Sequence, residues 1–137
     1  MIEIINKTEV YVNEKDFIDL GEKILFCERN STRFDVCVTF CSGDVIQNLN
    51  KKYRGVNKKT DVLSFETDIP GVPFIGDIII DIDVADEQKG AKSLAHELQV
   101  LFIHGLLHLL GNDHIKTKDK EIMEKKEKKY RKYIKGE

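Results

Sequence analysis

Apolar and polar residues follow two periods along this chain, and the switches between them mark out its elements. Ile2 to Ile5 reads as a short strand. Asn13 is placed to cap a helix running to about Glu28, in which Phe17, Leu20, Ile24 and Leu25 recur at helical spacing. Phe34, Val36, Val38 and Phe40 alternate with Asp35, Cys37 and Thr39, the pattern of a strand buried on one face. Ser42-Gly43-Asp44 ends that strand and starts a second helix, with Val45, Ile46, Leu49 and Tyr53 along one side. Asp61 to Thr67 predicts a strand through Val62, Leu63 and Phe65, and Ile69-Pro70-Gly71-Val72-Pro73 a turn. The β-branched run Ile75 to Ile82 predicts a strand in the middle of the sheet. A long apolar helix is expected from about Ser93 to Leu110, with Gly111 placed to stop it. A mostly charged helix follows from about Asp119 to Tyr133. The expected architecture is α+β: a single domain over residues 1–137, with a mixed sheet of about four strands and four to five helices.

Composition adds exclusions. The 137 residues suit one domain, large enough to bury a core without staples. Cys27, Cys37 and Cys41 form no Cys-x-x-Cys pair, so no disulfide is expected and all three read as small half-buried apolar residues. No run of 18 apolar residues and no signal-peptide pattern is present, which predicts a cytoplasmic protein away from membranes. No Gly-rich phosphate loop is present, which argues against a nucleotide-fuelled enzyme.

The net charge of −2 looks unfavourable for binding nucleic acid, but its distribution changes that picture. Met1 to His114 holds 12 basic and 19 acidic residues; Ile115 to Glu137 holds 10 basic and 5 acidic. Within the first part, Lys51, Lys52, Arg54, Lys58 and Lys59 form a basic segment with no acidic member, a patch suited to phosphates. The lysines between Lys125 and Lys135 offer either a second patch or a solvated helix face with Glu/Lys pairs.

The densest chemical signal is His104-Gly105-Leu106-Leu107-His108-Leu109-Leu110-Gly111-Asn112-Asp113-His114. On a helix, His104 and His108 are turned only ~40° apart and separated by ~6 Å along the axis, so both imidazoles can reach one ion. Gly111 lets the chain turn back and bring His114 round as a third ligand. Three neutral imidazoles suit Zn²⁺ and leave a fourth position for water, although another imidazole-accepting divalent metal is compatible. Such an ion could generate hydroxide near neutral pH. His96 lies ~12 Å before His104 and reads as solvated or second-sphere. Asp113 suits orienting a ligand imidazole or shuttling a proton, or else a plain turn or cap role.

The His-x-x-x-His-x-x-Gly-x-x-His spacing is shared with metzincin proteases, which carry a glutamate general base after the first histidine. Here that position is Gly105, so a metzincin-like metallopeptidase would lack its proton acceptor. Met123 follows in a charged segment and gives no Met-turn.

The eleven residues from His104 to His114 resemble the signature of the YbeY family, bacterial endoribonucleases and rRNA maturation factors. Leu49-Asn50-Lys51-Lys52-Tyr53-Arg54, Thr60-Asp61-Val62-Leu63-Ser64-Phe65 and Gly76-Asp77-Ile78 are similar to further blocks of that family, in the same order. Asn112 stands where the family has tyrosine and Lys59 where it has proline. The segment between Ile82 and Glu97 is somewhat short. The resemblance implies a single-strand-specific endoribonuclease acting in 16S rRNA 3′-end maturation and ribosome quality control. It implies zinc on His104, His108 and His114, with Arg54 facing the site. It also implies partners among the ribosomal small subunit and an assembly GTPase. Arg54 has the planar fork that fits phosphate oxygens, with Lys51, Lys52, Lys58 and Lys59 around it. Asp61 and Ser64 are candidates to support the site from the neighbouring strand. A non-catalytic ribosome-assembly factor with structural zinc is the alternative outside enzymology. The acidic stretch Asp77 to Glu87 suggests either a magnesium site or, by alternation along a strand, solvated carboxylates; Asp77 alone suits a structural acceptor near the metal.

Overall fold

Residues 1–55, 60–111 and 117–136 are described by a computed structural model, apart from the side chains of Arg54 and Thr117. In chain order the elements are β1 (Ile2–Asn6), α1 (Glu14–Arg29), β2 (Asp35–Cys41), α2 (Val45–Arg54), β3 (Val62–Glu66) and β4 (Phe74–Asp81). Three helices follow: α3 (Ile82–Gln88), α4 (Leu94–Leu109) and α5 (Thr117–Arg131). The four strands form one mixed sheet in the order β1-β2-β4-β3. β1 and β2 pair parallel, as do β2 and β4, while β3 runs antiparallel to β4 at the edge. The β-branched run is thus an inner strand, as its pattern predicts.

The two sheet faces are covered unequally. Val36, Val38, Phe40, Ile78 and Ile80 face one side and are buried with Phe17, Leu20, Ile24 and Leu25 of α1 and Leu98, Phe102 and Leu106 of α4. Phe17 sits edge-on to both Phe40 and Phe102, which locks the two helices to the sheet. The other face is smaller: Ile46 of α2 packs with Cys41 and Leu63, and Leu49, Phe65 and Ile79 lie around them.

In the acidic stretch Asp83, Asp86 and Glu87 are exposed, as expected, but they sit on a helix rather than alternating along a strand. The chain leaves β4 and enters α3 without a loop, because the buried Asp81 carboxylate accepts from the amides of Asp83 and Val84 and caps the helix. Ile82 and Ala85 bury the inner side of α3. Cys27 also departs from expectation, being exposed; Cys37 is half-buried and Cys41 buried, and no disulfide links them. Burial pushes the Cys41 thiol up to about 11, so it is an inert packing group.

Among its charged residues α5 carries Met123 and Tyr130, both buried and seven residues apart. This face holds α5 against α4, so the helix is docked rather than solvated all round. Glu28 of α1 fastens the far end: Lys126 Nζ lies 2.7 Å from one carboxylate oxygen and Tyr130 donates to the other at 2.6 Å. Burial raises the Glu28 pKa, but the bonds from Lys126 and Tyr130 outweigh it and hold the group below its ordinary value of 4.5. A depressed carboxylate stabilises the fold above its unfolded pKa and loses that contribution as pH falls through the folded value. Urea midpoints should therefore drop as pH is lowered from 5 towards 3, and Glu28→Gln should flatten that acid limb. An unchanged pH profile in the variant would remove Glu28 as its source.

Candidate metal centre

The site is built on the last two turns of α4. Ser93 starts the helix as its N-cap, accepting from the His96 amide at 3.0 Å. Gly111 ends it at φ +93, and its amide donates to the His108 carbonyl at 3.0 Å. Arg29 of α1 donates to the Leu110 carbonyl, placing a cation where the helix dipole is negative.

Gly105 lies between the histidines and faces the sheet. A Cβ there would sit 2.8 Å from Ile78 Cγ2 and 3.2 Å from Ser64 Oγ. The close approach lets Ser64 Oγ donate to the Gly105 carbonyl at 3.3 Å. A side chain at this position would force Ile78 to shift, so the close packing of the helix on the sheet disfavours a metzincin-type glutamate here. At about 100° per residue, Phe102 turns from Gly105 towards α1, while His104 and His108 turn the opposite way. That side of α4 borders β3, the sheet's edge strand.

The two imidazole centroids are 5.2 Å apart and the rings tilted by 58°. Both side chains are half-buried. Glu127 of α5 lies with Oε1 3.3 Å from His104 Nδ1, and its other oxygen accepts from Arg131 at 3.2 Å. A carboxylate on Nδ1 favours the tautomer that protonates that nitrogen and leaves the Nε2 lone pair available to a metal. The donor set therefore fits an imidazole-accepting divalent ion: two adjacent histidines on a rigid helix, one held in orientation by a carboxylate. Sequence reasoning missed Glu127. Its signal was its place four residues after Met123 and three before Tyr130, on the apolar side of a charged helix.

The remaining predicted residues separate into distinct places. His114, Asp113, Lys58 and Lys59 lie outside the described residues, as does the Arg54 side chain. Among the described residues no cluster of three ligating side chains forms. Ser64 lies against the histidine-bearing turn. Asp61 instead accepts from Gln88 Nε2 at 2.7 Å, and Gln88 also donates to Glu97 at 3.0 Å. Those contacts lie at the N-terminal end of α4, about 10 Å along the axis from His104. His96 is half-buried on the first turn of α4. Asp77 lies in β4 in register with Cys37 and Phe65. Lys51 and Lys52 are exposed on α2. On the outer side of His104, a groove of about 610 Å³ runs along α5, lined also by Lys120, Lys128 and Arg131.

Comparison with known proteins places nearly the whole length of the chain in one family. The family model described as Endoribonuclease YbeY matches residues 3–135. A protein named Endoribonuclease YbeY from Aliarcobacter butzleri is 36% identical over 137 residues, covering 91% of each chain. One of the same name from Staphylococcus saprophyticus is 38% identical over 125 residues, covering 82% of each. The solution structure of TM1509 from Thermotoga maritima is similar with a TM-score of 0.67 at 30% identity, over 98% of this chain and 89% of that one.

Proposed function

The chain belongs to the endoribonuclease YbeY family, and from that premise we propose that it cleaves single-stranded RNA with a divalent metal held by His104, His108 and His114. Internal cleavage of RNA is what the relatives' name, endoribonuclease, states. The observation that carries the metal reading is the pair of adjacent imidazoles, with centroids 5.2 Å apart, and Glu127 on His104 Nδ1. When bound, Zn²⁺ or a similar ion supplies Lewis acidity at the reacting phosphate or water.

The chain's own residues supply the rest. Glu127 holds the His104 ring in one orientation, and Ser64 braces the backbone between the histidines. Arg54 takes up charge on the phosphate through its guanidinium fork. Lys51 and Lys52, with Lys58 and Lys59, engage neighbouring phosphates along the strand. Asp113 is a second candidate to orient an imidazole. The biological substrate in this reading is the 16S rRNA precursor at its 3′ end, met on the small ribosomal subunit together with an assembly GTPase. The proposed location is the cytoplasm; among the described residues no helix is long and apolar enough to cross a membrane.

Metal removal tests the reading directly. Protein stripped with a chelator should lose cleavage of an end-labelled single-stranded RNA and regain it on addition of Zn²⁺. Stripped protein that still cleaves at full rate would overturn catalysis by metal. Protein that binds the ion but cleaves no RNA would favour a structural zinc in an assembly factor.

A further inference from the structure

Tyr53 is an unusual residue to leave in water. The residue is 60% exposed on the last turn of α2, within the basic segment. It is not a loose side chain: the ring stands edge-on to Phe65 of β3, with centroids 5.8 Å apart and planes at 72°. Phe65 is itself packed against the small core beneath α2. Lys52 holds its ammonium 5.2 Å from the Tyr53 ring centroid, and Lys51 precedes it. A fixed aromatic surface beside paired cations has the composition of a site that stacks one base and neutralises the adjoining phosphates.

Its place in the fold relates it to the metal centre. Ser64 and Phe65 are consecutive residues of β3, so their side chains leave opposite faces of the sheet at nearly the same level. Ser64 meets Gly105 between the two histidines; Phe65 meets Tyr53. β3 is the edge strand, so the histidine turn and the tyrosine flank the same sheet margin. The other exposed aromatics do not share this setting. Tyr133 has Lys23 over its ring at 4.3 Å, and Tyr11 and Phe26 lie outside the basic segment.

We propose that Tyr53 stacks one nucleobase of the single-stranded RNA as that strand passes over the β3 edge towards the histidines. The proposal rests on the RNA-cleaving reading above. It gives a physical source of single-strand preference, because a base inside a duplex cannot offer its face to a side chain.

The test is equilibrium binding of a short single-stranded RNA, scanned with abasic positions, to the intact metal-loaded protein. For the wild type, removing one particular base should weaken binding about tenfold. Tyr53→Leu, which keeps an apolar contact with Phe65, should weaken binding of the intact RNA to the same degree and become indifferent to that abasic position. Tyr53→Phe should behave as wild type. The dependence of affinity on salt should stay the same in all three, since no phosphate contact is removed. Wild-type affinity in Tyr53→Leu, or an abasic profile unchanged by it, would overturn the stacking role while leaving the RNA reading intact. A wild-type protein that binds no RNA would overturn both.

Discussion

Replacing His108 with alanine should strip the protein of its metal and lower RNA cleavage by roughly 10³-fold, with the fold preserved. Lewis-acid stabilisation of a phosphoryl transition state is worth several kcal/mol, and each ~1.4 kcal/mol is tenfold in rate. Folding should survive because His108 is only half-buried and packs on the flank of α4, away from the sheet contact made by Gly105. Alanine is also the best helix former. Metal content by elemental analysis, cleavage of single-stranded RNA and far-UV circular dichroism are the three measurements. A variant that has lost its ion yet cuts RNA at the wild-type rate would refute catalysis through this centre. Glu127→Ala provides the graded comparison: it keeps every proposed ligand but removes the carboxylate on His104 Nδ1. Loss of such a partner weakens metal binding by about 10- to 100-fold. The two variants should therefore rank in that order in a metal titration of the stripped protein.

The largest expected effect on stability is at Gly76. Its φ is +149, and a Cβ there would lie 2.3 Å from the Phe65 carbonyl oxygen and 2.7 Å from Leu109 Cδ2. The leucine methyl can move; the carbonyl cannot, because it belongs to the β3–β4 ladder, where Glu66 is in register with Gly76. Gly76→Ala should cost ~3–5 kcal/mol by forcing that pairing open while adopting a backbone conformation hostile to side chains. The melting temperature should fall by roughly 10–20 °C. Gly71→Ala is the control, since its φ is also positive (+80) but nothing lies within 4 Å of its Cβ position. It should cost only about 1 kcal/mol. Equal losses in the two variants would show that backbone strain alone accounts for Gly76 and that the close approach to Phe65 contributes nothing. The contact matters to function as well. Gly76 touches both the edge strand and Leu109, one residue beyond His108, so opening it displaces the turn that carries the imidazoles.

Local pattern foretold much of this protein. The i, i+4 histidines ahead of a helix-stopping glycine are a short-range signal, and α4 ends where Gly111 says it should. The four strands and four of the five described helices lie within about two residues of their predicted bounds. The central place of Ile75 to Ile82 follows from a run of β-branched residues that tolerates burial on both faces. The helix over 82–88 was not legible: it spans only seven residues and starts directly from a strand, so alternation along 77–83 masks its period.

Contacts between elements lay beyond the reach of any local period. Composition gave α5 a solvated charged face or a basic patch, and only its docking on α4 and α1 revealed Met123 and Tyr130 as its inner face. Glu127 meets His104 from 23 residues away, a pairing set by how two helices are rotated against each other. Gly105 is legible in sequence as a missing glutamate, yet the reason for it is the distance of a helix from Ile78 and Ser64. Tyr53 reads as one more apolar residue on a helix side until β3 is seen to be an edge and Phe65 its support. The residue types and their short-range spacing determined which chemistry is proposed for this chain. The order of strands and the approach of helices to the sheet decided which of those residues share a site, because both depend on packing between segments far apart in the chain.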